Sequence, residues 1–401
     1  MSDAGVDHLA GRPIAISSEE LDRRRARVWS SVVAKGCDLF VGLDAATIRY
    51  LTGYALVPNE RPFAVVLDMS GKLTFFVPLL KAYDASRRAR ADRIVSYRDY
   101  PGETHPMVSL AALLGEFGAS RMLLELDDHA SPHGYHGRPL SAMIEASVQL
   151  DRALVQTVRM VKSDEEIALL RHANDWALLA HRRLQDTVED GRTESDISGD
   201  ASGSALRAMR RLYGHADRRM TVSAGFGGQI GVDGTAHHFQ TEADPTINNG
   251  DLLITKVFAQ IGGYYSDVER TLVCGAATPE TRDLFQRGED IHAFALELVG
   301  PGISAGEIDR RVFRRYGILG IEDCWRHHVG HSIGLLEREA PYLDIGTDTV
   351  LEPGMVVTIE PGVYRAGVGG FRHSDCLLVT SDGHEILTEY PRDLDSLTCG
   401  R

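Results

Sequence analysis

Apolar positions in the first part of the chain alternate between helical spacing and short continuous runs. From Ser18 to Lys35 the residues Leu21, Arg25, Val28 and Val32 recur at helical spacing, and the run Asp38–Gly42 follows, which predicts a helix and then a buried strand. Apolar runs at Ile48–Leu51, Phe63–Leu67 and Leu73–Val77 predict further strands, and helix and strand alternate through Arg121–Glu125. This describes an α/β domain over residues 1–155. In it, the charged loop residues Asn59, Glu60 and Arg61 interrupt an apolar stretch, and His129, His133 and His136 mark a loop expected at the surface.

Leu154–Lys162 reads as a connection. Ser163-Asp-Glu-Glu166 then has the spacing of a capping box, which predicts a long helix with Ile167, Leu170, Leu178, Leu184 and Val188 inward and Gly191 as a stop. Beyond about residue 217, strand-like runs alternate with glycine turns and histidines, an α+β pattern that completes a second domain over 156–401. Its runs include Met220–Gly225, Thr235–Phe239 and Leu252–Val257, with a helix over Pro279–Val299. Gly262-Gly263 predicts a hairpin whose second strand carries Asp267 and Glu269 two residues apart, hence on one face.

The composition narrows the function classes. A net charge of −14 without a basic block removes the attraction that nucleic-acid binding needs, and no apolar run is long enough to cross a bilayer. Five scattered cysteines lack metal-type spacing and read as packed, reduced thiols. Together with a polar N-terminal stretch, this points to a cytoplasmic protein of two domains.

Four motifs add chemistry. They are Gly263-Tyr264-Tyr265-Ser-Asp267-Val-Glu269-Arg270-Thr271, Gly330-His331-Ser-Ile-Gly-Leu, Glu352-Pro-Gly-Met-Val-Val-Thr-Ile-Glu360-Pro-Gly and Arg372-His373-Ser374-Asp375. In this order they resemble the pita-bread fold family of methionine aminopeptidases, aminopeptidase P, prolidase and creatinase, and the first domain resembles the N-terminal domain of the prolidase and creatinase branch. The resemblance implies a centre of five metal ligands, of which Asp267, His331 and Glu360 are present. The first Asp, eleven residues before Asp267, is replaced by Lys256, and the last Glu by Ser374. A lysine ammonium repels a nearby cation and a serine hydroxyl is a poor ligand, so a two-metal centre is not expected.

Within the family, creatinase works without metal, and the resemblance extends to it. It implies His238 as general base and acid, with His237 one register step away, and Glu269 and Glu360 as grips on a guanidinium or amidine. It also implies His331 beside the reacting group, Tyr265 in the pocket, and Arg338 on the substrate carboxylate, while Lys256, a departure from creatinase, is expected at the pocket as an internal ion pair that neutralises Asp267 and Glu360. Arg61 would reach the carboxylate in the neighbouring subunit of a homodimer. Two carboxylates opposite a flat cation, arginine forks opposite a carboxylate, and a histidine near neutral pH suit a small zwitterion. The expectation is therefore a metal-independent creatinase-like hydrolase with no cofactor, cleaving a C–N bond in a creatine- or ectoine-like substrate. The alternatives are an Xaa-Pro dipeptidase-like metallopeptidase with one divalent ion, such as Mn²⁺ or Zn²⁺, on Asp267, His331 and Glu360, and a lyase of a small zwitterionic carboxylate.

Overall fold

The computed structural model describes residues 6–99, 104–129, 137–214, 220–227 and 244–400. The chain divides into two compact units, Ile16–Arg159, and the segment up to Ala15 together with Met160 onward.

The first unit runs α1 (Ser18–Ala34), β1 (Leu39–Gly42), α2 (Ala45–Thr52), β2 (Ala64–Asp68), β3 (Leu73–Pro78), α3 (Leu79–Arg88), β4 (Arg93–Tyr97), α4 (Pro106–Gly115), β5 (Arg121–Leu124) and β6 (Ser147–Leu150), and ends within α5 (Leu154–Met160). Its sheet has the order β4-β3-β2-β1-β5-β6, antiparallel across β1, β2 and β3 and parallel elsewhere. Leu39, Val41, Val66 and Phe76 of the sheet pack with Met107, Leu110 and Leu114 of α4 in one core. The run Ile48–Leu51, expected as a strand, lies in α2 instead. Asp44 caps that helix by accepting the N–H groups of Ala46 and Thr47 at 2.8 and 3.3 Å, and Gly53 closes it in the left-handed conformation. A four-residue apolar run does not distinguish helix from strand, so the caps decide.

Glu125 is buried behind this cap. It accepts the N–H groups of Leu43 and Asp44 at 3.0 Å each and pairs with the Thr47 hydroxyl. Burial outweighs these bonds and pushes its carboxyl up from 4.5 to about 7. The native state thus holds this proton more tightly than the unfolded chain does, and stability falls as pH rises from 4.5 to about 7. Glu125→Gln, which keeps the shape and fixes neutrality, is expected to flatten this slope in denaturation midpoints measured at both ends of that window.

The second unit begins its main body with α6 (Asp164–Thr187), whose capping box is formed in both directions by Ser163 and Glu166. The helix ends before Gly191, because Val188 turns extended and the Thr187 hydroxyl bonds the carbonyls of Arg183 and Leu184 at 3.0 and 2.8 Å. After α7 (Glu194–Tyr213) come β7 (Thr221–Phe226), β8 (Leu252–Ile261), β9 (Tyr264–Tyr265), β10 (Thr271–Cys274), α8 (Pro279–Leu298), α9 (Ala305–Ile318) and β11 (Gly330–Ser332). The remaining strands are β12 (Glu339–Leu343), β13 (Val356–Ile359), β14 (Gly362–Arg365), β15 (Gly369–Arg372), β16 (Asp375–Val379), β17 (His384–Ile386) and β18 (Thr398–Cys399). One sheet runs β18-β10-β8-β7 with β9 on β8, a second β12-β11-β13-β16-β17, and β14 pairs β15.

The expected hairpin forms, with positive φ of 57° and 97° at Gly262 and Gly263, but its second strand is short. Beyond β9 the chain is tied by the isolated bridges Val257↔Val268 and Glu269↔Ser374. The run Thr235–Phe239 lies outside the described residues. All five cysteines are buried and free, and among the described residues no helix is long and apolar enough to cross a membrane.

Candidate active site

Lys256 lies near the middle of β8, where Thr255 and Val257 on either side are fully buried and hold the strand in place. Its Nζ lies 2.9 Å from Asp267 Oδ2, 3.4 Å from Glu269 Oε1 and 3.0 Å from Glu337 Oε1. Burial alone would lower the lysine pKa, but Asp267, Glu269 and Glu360 together raise it, so the ammonium is permanent. Asp267 is fully buried, and burial raises its carboxyl against the pull of Lys256.

His331 on β11 and Glu360 at the end of β13 complete a cluster with Asp267. One ligand atom from each of the three lies within 4.8 Å of the others. His331 Nδ1 is 3.0 Å from the Ser332 carbonyl, which can only accept, so Nδ1 is the donor and the neutral ring offers the Nε2 lone pair. That atom is 3.3 Å from Glu360 Oε1. Burial alone would lower the His331 pKa, yet Glu360 and Asp267 raise it. Glu360, against its own burial, is held well below the ordinary carboxylate range by His331, Lys256 and Arg372.

Glu269 has a different setting. It is buried and held by both sides of the Arg372 guanidinium, Nε on Oε2 and Nη2 on Oε1 at 3.1 Å. Arg372 in turn donates to the Tyr364 hydroxyl at 3.0 Å and to the Gly227 carbonyl at 3.2 Å. His327 Nε2 meets the same hydroxyl at 3.0 Å, and burial lowers this histidine to about 4. Lys256, Arg372, Glu337 and Arg338 line one cleft of about 630 Å³, together with Phe226, Gly227 and Leu336.

Two buried polar atoms here, Asp267 Oδ1 and Ser374 Oγ, have no hydrogen-bond partner among the described residues, while His331 Nε2 faces Glu360 Oε1 at 3.3 Å. Such orphans in a native interior mark a missing ion or water. One divalent ion on Asp267, His331 and Glu360 fits these residues, since two carboxylates and an imidazole locked through Nδ1 suit such an ion. A pair of ions does not fit, because Lys256 lies against Asp267 and Ser374 offers only a hydroxyl.

The structure therefore brings together Lys256, Asp267, Glu269, His331 and Glu360, with Arg338 exposed at the cleft. Tyr265 is half-buried against Phe258, with ring centroids 6.3 Å apart, and its N–H bonds the Gly334 carbonyl at 2.9 Å. Arg61 belongs to the first unit, where Asp99 and Glu60 hold its guanidinium. His237, His238, His133 and His136 lie outside the described residues, and His129 bonds the Asn59 carbonyl at 3.1 Å. His373 is buried with Nε2 on the Arg392 carbonyl at 3.0 Å and Nδ1 accepting from Thr271 N at 3.2 Å, so both ring nitrogens are engaged within the fold. Sequence reasoning gave no role to Arg372, Tyr364 or Glu337. Arg372 stood two residues before Ser374 in a motif, which was the one signal available.

Two units of this architecture, with buried carboxylates and a histidine gathered on and beside the strands of the second, define a pita-bread protein with a creatinase-type N-terminal domain. A model of the metallopeptidase family M24 matches residues 168–381, and one of the creatinase/prolidase N-terminal domain matches residues 24–161. The chain belongs to metallopeptidase family M24. It is 28% identical over 378 residues to a probable dipeptidase PepE of Mycobacterium tuberculosis, covering 94% of this chain and 96% of the relative. It is 27% identical over 390 residues to a creatinase of a Bacillus species, covering 94% and 92%. The crystal structure of dipeptidase PepE from Mycobacterium ulcerans superimposes with a TM-score of 0.81 at 25% identity, covering 96% of this chain and 100% of that one.

These findings correct two expectations. The metal-independent, creatinase-like amidinohydrolase gives way to the peptidase reading, because the family is one of metallopeptidases and a dipeptidase matches in both sequence and structure. The geometry supplies a reason. Glu269, expected to grip a substrate cation, is already filled by Arg372, and Lys256 and His331 answer Asp267 and Glu360. The expectation of no cofactor is overturned by the same family membership and by the three-ligand cluster.

Proposed function

We propose that this chain is a metal-dependent dipeptidase with a one-ion centre on Asp267, His331 and Glu360, acting on dipeptides that include the Xaa-Pro class. The observation that carries the reading is the convergence of these three ligands within 4.8 Å, with Asp267 Oδ1 unpartnered among the described residues. Bound there, a divalent ion supplies Lewis-acid polarisation of a carbonyl. Lys256 fixes Asp267 through Oδ2, and the Ser332 carbonyl fixes the tautomer of His331. Arg338, exposed at the cleft, suits the carboxylate terminus of a short peptide, and Glu337, which pairs with Lys256 yet keeps 40% of its side chain exposed, stands beside it as the acidic neighbour for the ammonium end. The dipeptidase name of the PepE relative supports this substrate class.

Elemental analysis is expected to give one Mn²⁺ or Zn²⁺ per chain. Exhaustive chelation should lower the release of amino acids from dipeptides by about 100-fold or more, with recovery when the ion is returned. Hydrolysis that survives chelation undiminished would overturn the reading.

A further inference from the structure

Lys162 and Glu339 form an ion pair of 3.1 Å with side chains 1% and 3% exposed, among the most buried charges of the second unit. The same Nζ donates to Ser332 Oγ at 2.9 Å, and that hydroxyl donates to the Val356 carbonyl at 2.9 Å. One ammonium therefore holds both ends of the strap 332–339. At one end, the Ser332 carbonyl takes the Nδ1–H of His331 and so sets the ring that faces the metal position. At the other, Glu339 follows Arg338 directly and opens β12. Between them Gly334 lies hard against Glu339: a Cβ at this position would be 2.4 Å from Oε1.

A buried ion pair is a weak source of stability, since apolar or neutral replacements of both partners are often tolerated, so its value must be sought elsewhere. We propose that Lys162–Glu339 is a positioning clamp that sets, through one strap, both the metal affinity of His331 and the placement of Glu337 and Arg338 against substrate. This rests on the one-ion dipeptidase reading. Neither residue belongs to the three-ligand cluster or lines the cleft.

The test is Lys162→Met/Glu339→Gln, which removes both charges together. It is expected to melt close to the wild type, yet to bind Mn²⁺ about tenfold or more weakly by calorimetry and to show a raised KM for dipeptides. Hydrogen exchange should quicken over 330–339 and nowhere else. A variant that melts, binds and exchanges like the wild type overturns the clamp. If the double variant fails to fold, Lys162→Arg keeps the charge but changes its reach and geometry, and it should still weaken Mn²⁺ binding; wild-type affinity there overturns the clamp equally. Wild-type protein that binds no Mn²⁺ overturns the one-ion reading instead, and the exchange rates over 330–339, which need no ligand, then decide the clamp alone.

Discussion

Arg372→Met is expected to destabilise the protein by about 3–5 kcal/mol, read as a drop in the urea midpoint, because it leaves the Glu269 carboxylate buried without its fork. Glu269 is 1% exposed, and its other cation, Lys256, stands 3.4 Å away while also serving Asp267 and Glu337. Arg372 also donates to the Tyr364 hydroxyl and the Gly227 carbonyl, so its loss removes these bonds as well, although the hydroxyl keeps His327. The double variant Arg372→Met/Glu269→Gln should recover most of the loss, because the orphaned charge goes with its partner. The coupling energy of that cycle measures how far Glu269 belongs to the fold. A loss below about 1 kcal/mol for Arg372→Met would mean that Lys256 alone neutralises Glu269.

This pairing also shows what could be read from the sequence. Lys256 and Asp267 are eleven residues apart across one hairpin, and their 2.9 Å contact was legible from the motif that placed a lysine at a ligand position. The capping box at Ser163 was legible for the same reason, since its signal is local. Glu269 and Arg372 are 103 residues apart, and Lys162 and Glu339 are 177 apart. Nothing near Glu269 in the chain says that a guanidinium from β15 will fill it, so its carboxylate read as free for a substrate. The run Ile48–Leu51 is a milder case, because its apolar pattern alone fits a strand and only the caps at Asp44 and Gly53 make it a helix. Interior charge pairing set by sheet assembly is what motifs leave out, and it is what turns an apparent substrate grip into part of the wall.

The largest change in chemistry is expected from restoring the two residues that depart from the family pattern. Lys256→Asp/Ser374→Glu should raise the metal content from one ion per chain to two, read by elemental analysis and by a second phase in calorimetric titration with Mn²⁺. At about 4 Å, a lysine ammonium opposes a unit of positive charge by roughly 4 kcal/mol at an effective dielectric of 20, and a divalent ion by more. In the wild type Lys256 is held by Asp267, Glu269 and Glu337, so it cannot swing away to admit a further ion without stranding buried carboxylates. Lys256→Asp removes that repulsion and adds a carboxylate beside Asp267. Ser374→Glu supplies an oxygen ligand where the buried hydroxyl now has no partner among the described residues. Ser374→Glu alone should leave the content at one, because the ammonium remains. If the double variant also stays at one ion, the limit lies in the geometry of the Asp267–His331–Glu360 cluster and not in the charge of Lys256.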